Sequence, residues 1–225
     1  MTTIHTIERK PRAASDDPPP LLVMLHGYGS NEHDLFDLGD YLDPRLHIVS
    51  ARGVLDLGMG FAWYHLGGVP GNLIPDPTTR ARARDILSAL VADLPGRLGT
   101  NPERTYVLGF SQGAIMSLAL AAHIPGQLAG IIPVSGYLDP DSMSGPLPAA
   151  TADLPILQIH GTEDEVIRVA AARRTRDFLT PLAKRYTYQE YPIGHTISMD
   201  GLLLIQGWLA ERRAEYLQIA DCRLI

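Results

Sequence analysis

The sequence predicts an α/β fold, with a mostly parallel central sheet flanked by helices on both faces. Three observations lead there. Short, wholly apolar runs such as residues 21–25 read as strands buried on both faces. Segments with helical apolar spacing alternate with those runs. Residues 106–113, Tyr-Val-Leu-Gly-Phe-Ser-Gln-Gly, pass from an apolar strand through a tight glycine turn into the small-residue run 114–119.

The elements follow in order. Residues 16–20, Asp-Asp-Pro-Pro-Pro, read as a turn or linker, and residues 1–19 as an N-terminal extension or edge strand. Residues 21–25 form the first buried strand. Residues 31–42 place Leu35, Leu38 and Leu42 at helical spacing, with Asn31 as the cap. Residues 47–50 are a short strand. Residues 52–77 carry many Gly and Pro without a period, and read as a long loop or short lid over the site. Residues 78–98 are helical, with Ile86, Leu87, Leu90 and Leu94 on one face. Residues 104–110 form the strand before the glycine turn, and 112–123 the helix after it. Residues 128–134 and 155–159 are further buried strands, 169–182 a helix, 186–191 an alternating strand, and 197–218 the closing helix. The whole of 1–225 reads as a single domain.

Composition narrows the function. Hydrophobic residues are 45% and charged residues 20%, a soluble globular balance. A net charge of −6 carries no basic footprint, so nucleic acid is not the expected partner. No apolar run is long enough to span a bilayer, so no stable membrane insertion is expected. The first ten residues lack the apolar core of a signal peptide. The chain has one cysteine, Cys222, so no intrachain disulfide forms, which fits the cytoplasm. The eight histidines show no metal spacing, and no phosphate-binding glycine loop is present, so neither a metal nor a cofactor is expected.

The chemistry concentrates at four strand ends, where open α/β sheets place their sites. Gly109-Phe110-Ser111-Gln112-Gly113 is a G-x-S-x-G turn, which lifts a serine hydroxyl above the sheet edge and aims a helix N-terminus at the reacting group. His26-Gly27-Tyr28-Gly29 follows the first buried strand, and a glycine turn there can offer a main-chain N–H to an oxyanion. Asp164 follows the strand 155–159, in competition with Glu163, Glu165, Asp139 and Asp141 as the acid. His195 stands between the last strand and the last helix and is the candidate base. His26 and His160 both precede a glycine at a strand end and read as structural hydrogen-bonding residues. Ser, Asp, His is the chain order of hydrolases built on such a turn.

The boxes Leu25-His26-Gly27-Tyr28-Gly29-Ser30-Asn31, Gly109-Phe110-Ser111-Gln112-Gly113, His160-Gly161-Thr162-Glu163-Asp164 and Gly194-His195 together resemble the phospholipase/carboxylesterase family. The similarity runs from about residue 20 to about residue 215. The resemblance implies the α/β-hydrolase fold, a catalytic triad of Ser111, Asp164 and His195, and an oxyanion hole made by the main-chain N–H groups of Tyr28 and Gln112. Phe61-Ala62-Trp63-Tyr64 resembles the aromatic segment that the family sets beside its pocket. His65 stands where the thioesterase branch often has an acidic residue.

The function expected from these residues is hydrolysis of short- to medium-chain carboxylic esters through an acyl-enzyme. The partner is a small-molecule ester, and the protein is a monomer or homodimer. Apolar residues of 52–77 (Leu55, Leu57, Met59, Phe61, Trp63) line an acyl pocket or else pack the loop onto the domain. Because Tyr28 and Gln112 are expected to act through the backbone, Tyr28→Phe and Gln112→Ala should leave activity largely intact. Two rival functions are an acyl-protein thioesterase or lysophospholipase-type hydrolase, and a non-catalytic binding protein on the same fold. The mark of the last is a lost triad member, and all three are present.

Overall fold

The computed structural model describes residues 4–14, 17–69, 72–139 and 146–223. Pro70, Gly71 and Asp141 lie outside the described residues, as does the Cys222 side chain. Strands β1 (Thr6–Arg9), β2 (Leu21–Leu25) and β3 (His47–Ala51) precede two small hairpins. The first joins β4 (Leu55–Asp56) to β5 (Phe61–Ala62), and the second joins β6 (Leu66–Val69) to β7 (Asn72–Pro75). There follow α1 (Pro77–Leu98), β8 (Thr105–Phe110), α2 (Gln112–His123) and β9 (Gly130–Val134). The chain closes with β10 (Ile156–Gly161), α3 (Val169–Leu179), β11 (Tyr186–Tyr191) and α4 (Met199–Arg223).

Among the described residues, one sheet of seven strands runs in the order β1-β3-β2-β8-β9-β10-β11. β1 is antiparallel to β3, and the other neighbours are parallel. β2, β3 and β9 are buried along their whole length, as their continuous apolar runs require. Successive strand residues point to opposite faces and feed two cores. Leu21, Val23, Leu25 and Val107 pack against α1, α2 and α3, while Leu22, Met24, Leu108 and Ile132 face α4. α2 is apolar nearly all round because it is wedged between the sheet and α1, and it is buried from Gln112 to Ala121. α4 buries one stripe, Leu202, Ile205, Trp208 and Leu209, at the i, i+3, i+6, i+7 spacing of a one-sided helix. Each large apolar side chain so buried contributes about 1.5–3 kcal/mol.

Three segments differ from the sequence expectation. Residues 31–42 form turns and one short 3₁₀ stretch, Phe36–Asp40, rather than an α-helix. Asn31 caps no helix; its Oδ1 accepts the His33 N–H at 2.9 Å in a turn, while Leu35 and Leu42 are buried as their spacing implied. The acidic and glycine residues between them are weak helix formers, and that weakness decides the backbone. The range 52–77 is not an irregular loop but the two hairpins. Strands of two and four residues carry no measurable period, so the sequence does not reveal them. α3 stops at Leu179 because Pro181 brings no N–H to extend it. Within the first nineteen residues, β1 lies along the β3 edge of the sheet.

Candidate active site

Ser111 sits at the carboxyl end of β8 with φ 54° and ψ −115°, a backbone conformation that an L-residue rarely adopts. The surroundings impose it. The Ser111 N–H donates to the Val134 carbonyl at 3.0 Å, and the Ser111 carbonyl accepts from Ala114 and Ile115 at 3.0 and 3.1 Å. Gly113 lets α2 start hard against β2: a Cβ there would lie 2.0 Å from the Leu25 carbonyl oxygen. Strain of this kind persists only where packing over-determines it, and it is concentrated at reactive sites.

His195 lies in the loop after β11 and Asp164 in the loop after β10. The two loops are fastened together, because Thr162 and Glu163 donate their N–H groups to Tyr191 and Ile193 at 2.8 and 3.0 Å. Gly161 permits the contact, since a Cβ there would meet the Ile193 carbonyl oxygen at 2.3 Å. The result is one chain of hydrogen bonds. Asp164 Oδ2 accepts from His195 Nδ1 at 2.7 Å, and His195 Nε2 faces Ser111 Oγ at 2.9 Å. A carboxylate only accepts, so Nδ1 carries the ring hydrogen and Nε2 is left bare toward the serine hydroxyl. Asp164 is buried, and its Oδ1 accepts the N–H groups of Val166 and Ile167 at 2.9 and 2.8 Å. The Phe110 ring lies 4.9 Å from the imidazole and screens one side of it.

The other candidates fall elsewhere. Buried Asp139 pairs with Arg80 of α1. Glu163 and Glu165 are exposed. His26 accepts the Gly53 N–H on Nε2 at 2.8 Å, so its hydrogen is on Nδ1, which donates to the Gly27 carbonyl at 2.7 Å. His160 donates from Nε2 to the Ile167 carbonyl at 2.7 Å, and the same nitrogen lies 3.4 Å from Asp164 Oδ2. Burial lowers the pKa of both rings.

Tyr28 and Gln112 present their main-chain N–H groups without a protein acceptor among the described residues. The Gln112 N–H is the free end of α2. The turn that carries Tyr28 abuts the serine, since a Cβ on Gly27 would lie 3.3 Å from Ser111 Cβ. The Tyr28 side chain is 46% exposed. Sequence reasoning missed the Gln112 side chain. Its Oε1 accepts the Trp63 N–H and its Nε2 donates to the Tyr64 carbonyl, both at 2.8 Å. It also missed Glu32, buried beneath Arg52, which donates to it and covers the Phe61 ring at 4.5 Å. Of the apolar residues in 52–77, Trp63 belongs to the core, Leu66 packs against it, and Met59 is 96% exposed. Among the described residues no three metal-ligating side chains converge.

A bare imidazole nitrogen on a serine hydroxyl, with its other nitrogen held by a buried carboxylate, is the arrangement that turns a hydroxyl into a nucleophile.

Comparison with known proteins adds to this geometry. The sequence profile described as Phospholipase/Carboxylesterase matches residues 10–212. The chain is similar to carboxylesterase SOBER1 of Arabidopsis thaliana, at 33% identity over 116 residues, 51% of each chain. It is similar to acyl-protein thioesterase 1 of Neurospora crassa, at 32% identity over 118 residues, covering 51% of this chain and 48% of that one. The matches thus span about half the length of such relatives. Among solved structures, esterase PE8 superposes with a TM-score of 0.77 at 28% identity, covering 93% of this chain and 99% of that one. The Bacillus cereus carboxylesterase superposes with a TM-score of 0.79 at 21% identity, covering 94% and 95%, a likeness of fold alone.

Proposed function

The chain belongs to the phospholipase/carboxylesterase family, and from that premise we propose that it is a serine carboxylesterase acting on short- to medium-chain esters. The observation that carries the reading is the unbroken Ser111–His195–Asp164 hydrogen-bond chain on a strained turn.

The reaction follows from the atoms. Ser111 Oγ attacks the ester carbonyl carbon while its proton passes to His195 Nε2. The carbonyl oxygen becomes an oxyanion between the N–H groups of Tyr28 and Gln112, each such donor contributing about 3 kcal/mol. The tetrahedral adduct collapses, and the leaving alcohol takes the proton from Nε2. Water then attacks the acyl-enzyme and gives a proton to the same nitrogen; the second tetrahedral adduct collapses with cleavage of the acyl C–Oγ bond, Ser111 Oγ takes the proton back from Nε2, and the carboxylic acid leaves. Asp164 keeps the Nδ1 tautomer and stabilises the imidazolium that forms at each step. No cofactor takes part. A chain with one cysteine suits the reducing cytoplasm, where we place this activity.

Labelling with a serine-directed phosphonate, followed by peptide mapping, tests the reading. The label should fall on Ser111, and Ser111→Ala should abolish both labelling and ester hydrolysis with the fold retained. A label on another serine would sink the assignment. Nitrophenyl esters from acetate to palmitate test the substrate. Each CH₂ buried is worth about 0.8 kcal/mol, so kcat/KM should climb and peak at about C4 to C8, where the pocket is full. A continuous rise to C16 would point instead to the lipid- or acyl-protein-directed reading that the likeness to acyl-protein thioesterase 1 favours.

A further inference from the structure

We propose that the Gln112 carboxamide, together with the Trp63 indole, is a positioning clamp that sets the two main-chain N–H donors of Tyr28 and Gln112 relative to each other. The proposal rests on the hydrolase reading above.

The two donors belong to separate elements. One is on the turn after β2 and the other at the first residue of α2. The segment 61–64 is hydrogen-bonded to both. Toward α2, the Gln112 carboxamide engages the Trp63 N–H and the Tyr64 carbonyl at 2.8 Å each. Toward the turn, the Trp63 indole N–H donates to the His26 carbonyl at 2.9 Å, two residues before Tyr28. The Phe61 carbonyl accepts from Gly29 at 2.9 Å, and the Phe61 N–H donates to Ser30 at 2.7 Å, so Tyr28 is bracketed on both sides. The neutral His26 ring lies against the indole at 5.3 Å. Gln112 is only 3% exposed and Trp63 is 0% exposed, so no water replaces these bonds when one is removed.

A side chain buried beside the serine thus touches no reacting atom, yet it joins the turn to the helix. Misplacement of a group by about 1 Å can cost roughly 10²-fold in rate. The sequence-based expectation that Gln112→Ala keeps most activity, because its N–H survives, is therefore revised.

The test is Gln112→Met, which keeps length and the N–H but removes both side-chain bonds, and Trp63→Phe, which removes the indole N–H together with part of the buried ring. Steady-state kinetics on one ester should show kcat lowered about 10²-fold in the first and about 3- to 10-fold in the second, with KM within about threefold. Affinity for a trifluoromethyl ketone, whose adduct places an oxyanion on the two donors, should fall in the same proportion as kcat. A clamp that serves only folding would lower Tm and leave kcat and the inhibitor affinity unchanged, which would overturn the proposal. Loss confined to KM would overturn it too. If Gln112→Met does not fold, Trp63→Phe decides on the same criteria. Failure of the hydrolase reading shows separately, as an inactive unsubstituted protein or an active Ser111→Ala, and the proposal falls with it.

Discussion

His195 Nε2 lies 2.9 Å from Ser111 Oγ, although 84 residues of chain separate the two. Neither loop brings this about alone. The β10–β11 register and the bonds between the loops after those strands carry the imidazole to the end of β8. Holding two groups at reacting distance removes the entropic cost of their encounter, which is where much of the rate of such a site arises.

Asp164→Asn should lower kcat on the order of 10⁴-fold with the fold intact, because an amide N–H turned toward Nδ1 favours the wrong tautomer. Asp139→Asn should behave in the opposite way. It breaks the buried pair with Arg80, so it should lose about 3–5 kcal/mol of stability while the folded fraction keeps its kcat. Kinetics and melting curves on the two variants check this. Equal losses of kcat would show that the acid had been placed after the wrong strand.

Activity should be lost in acid, because Nε2 accepts the serine proton only when it is unprotonated. Burial lowers the pKa of both His26 and His160, so they should gain a proton only at more acid pH than an ordinary imidazole does. A kcat/KM profile with no acid limb at all is incompatible with a histidine base.

Acid should unfold the protein partly through Glu32. The hydrogen bonds from Arg52 lower its pKa from 4.5 to about 2 in the folded state. Since the folded value lies below the unfolded one, the contribution is complete above pH 4.5 and disappears as the pH falls toward about 2. Glu190, held by Arg173, is lowered to about 2 and adds a contribution of the same sign. In Glu32→Gln the fall of Tm between those pH values should be shallower than in the unsubstituted protein. Identical slopes would remove Glu32 from the account.

Tyr28→Phe should keep most of the activity, because the side chain is half exposed and the role we propose for Tyr28 belongs to its main-chain N–H. Tyr28→Pro removes that N–H and should cost on the order of 10²–10³-fold in kcat in protein that still folds. A large loss in Tyr28→Phe would assign the role to the hydroxyl.

Much of this protein is legible along the chain. The buried strands are readable because each is a continuous apolar run, and α2 begins and ends at the residues its sequence implies. The glycine turn around Ser111 is readable because the sterics that demand Gly113 act over a few residues. The 3₁₀ stretch at Phe36–Asp40 and the two hairpins within 52–77 are not, since their strands and turns are too short to carry a period. The family boxes point to Asp164 and His195, but position along the chain does not by itself decide among the acids or the histidines. Asp139, Glu163 and Asp164 all follow strands, and His26, His160 and His195 all stand at strand ends. Asp164 and His195 are singled out by distances of 2.7 and 2.9 Å between residues 31 and 84 positions apart, while Asp139 is taken by Arg80 and His26 by Gly53. The Gln112 clamp has the same origin, for its partners lie 48 and 49 residues away. Local sterics and apolar runs are written in neighbouring residues, whereas the pairing of polar groups depends on which strand ends the closed sheet brings side by side.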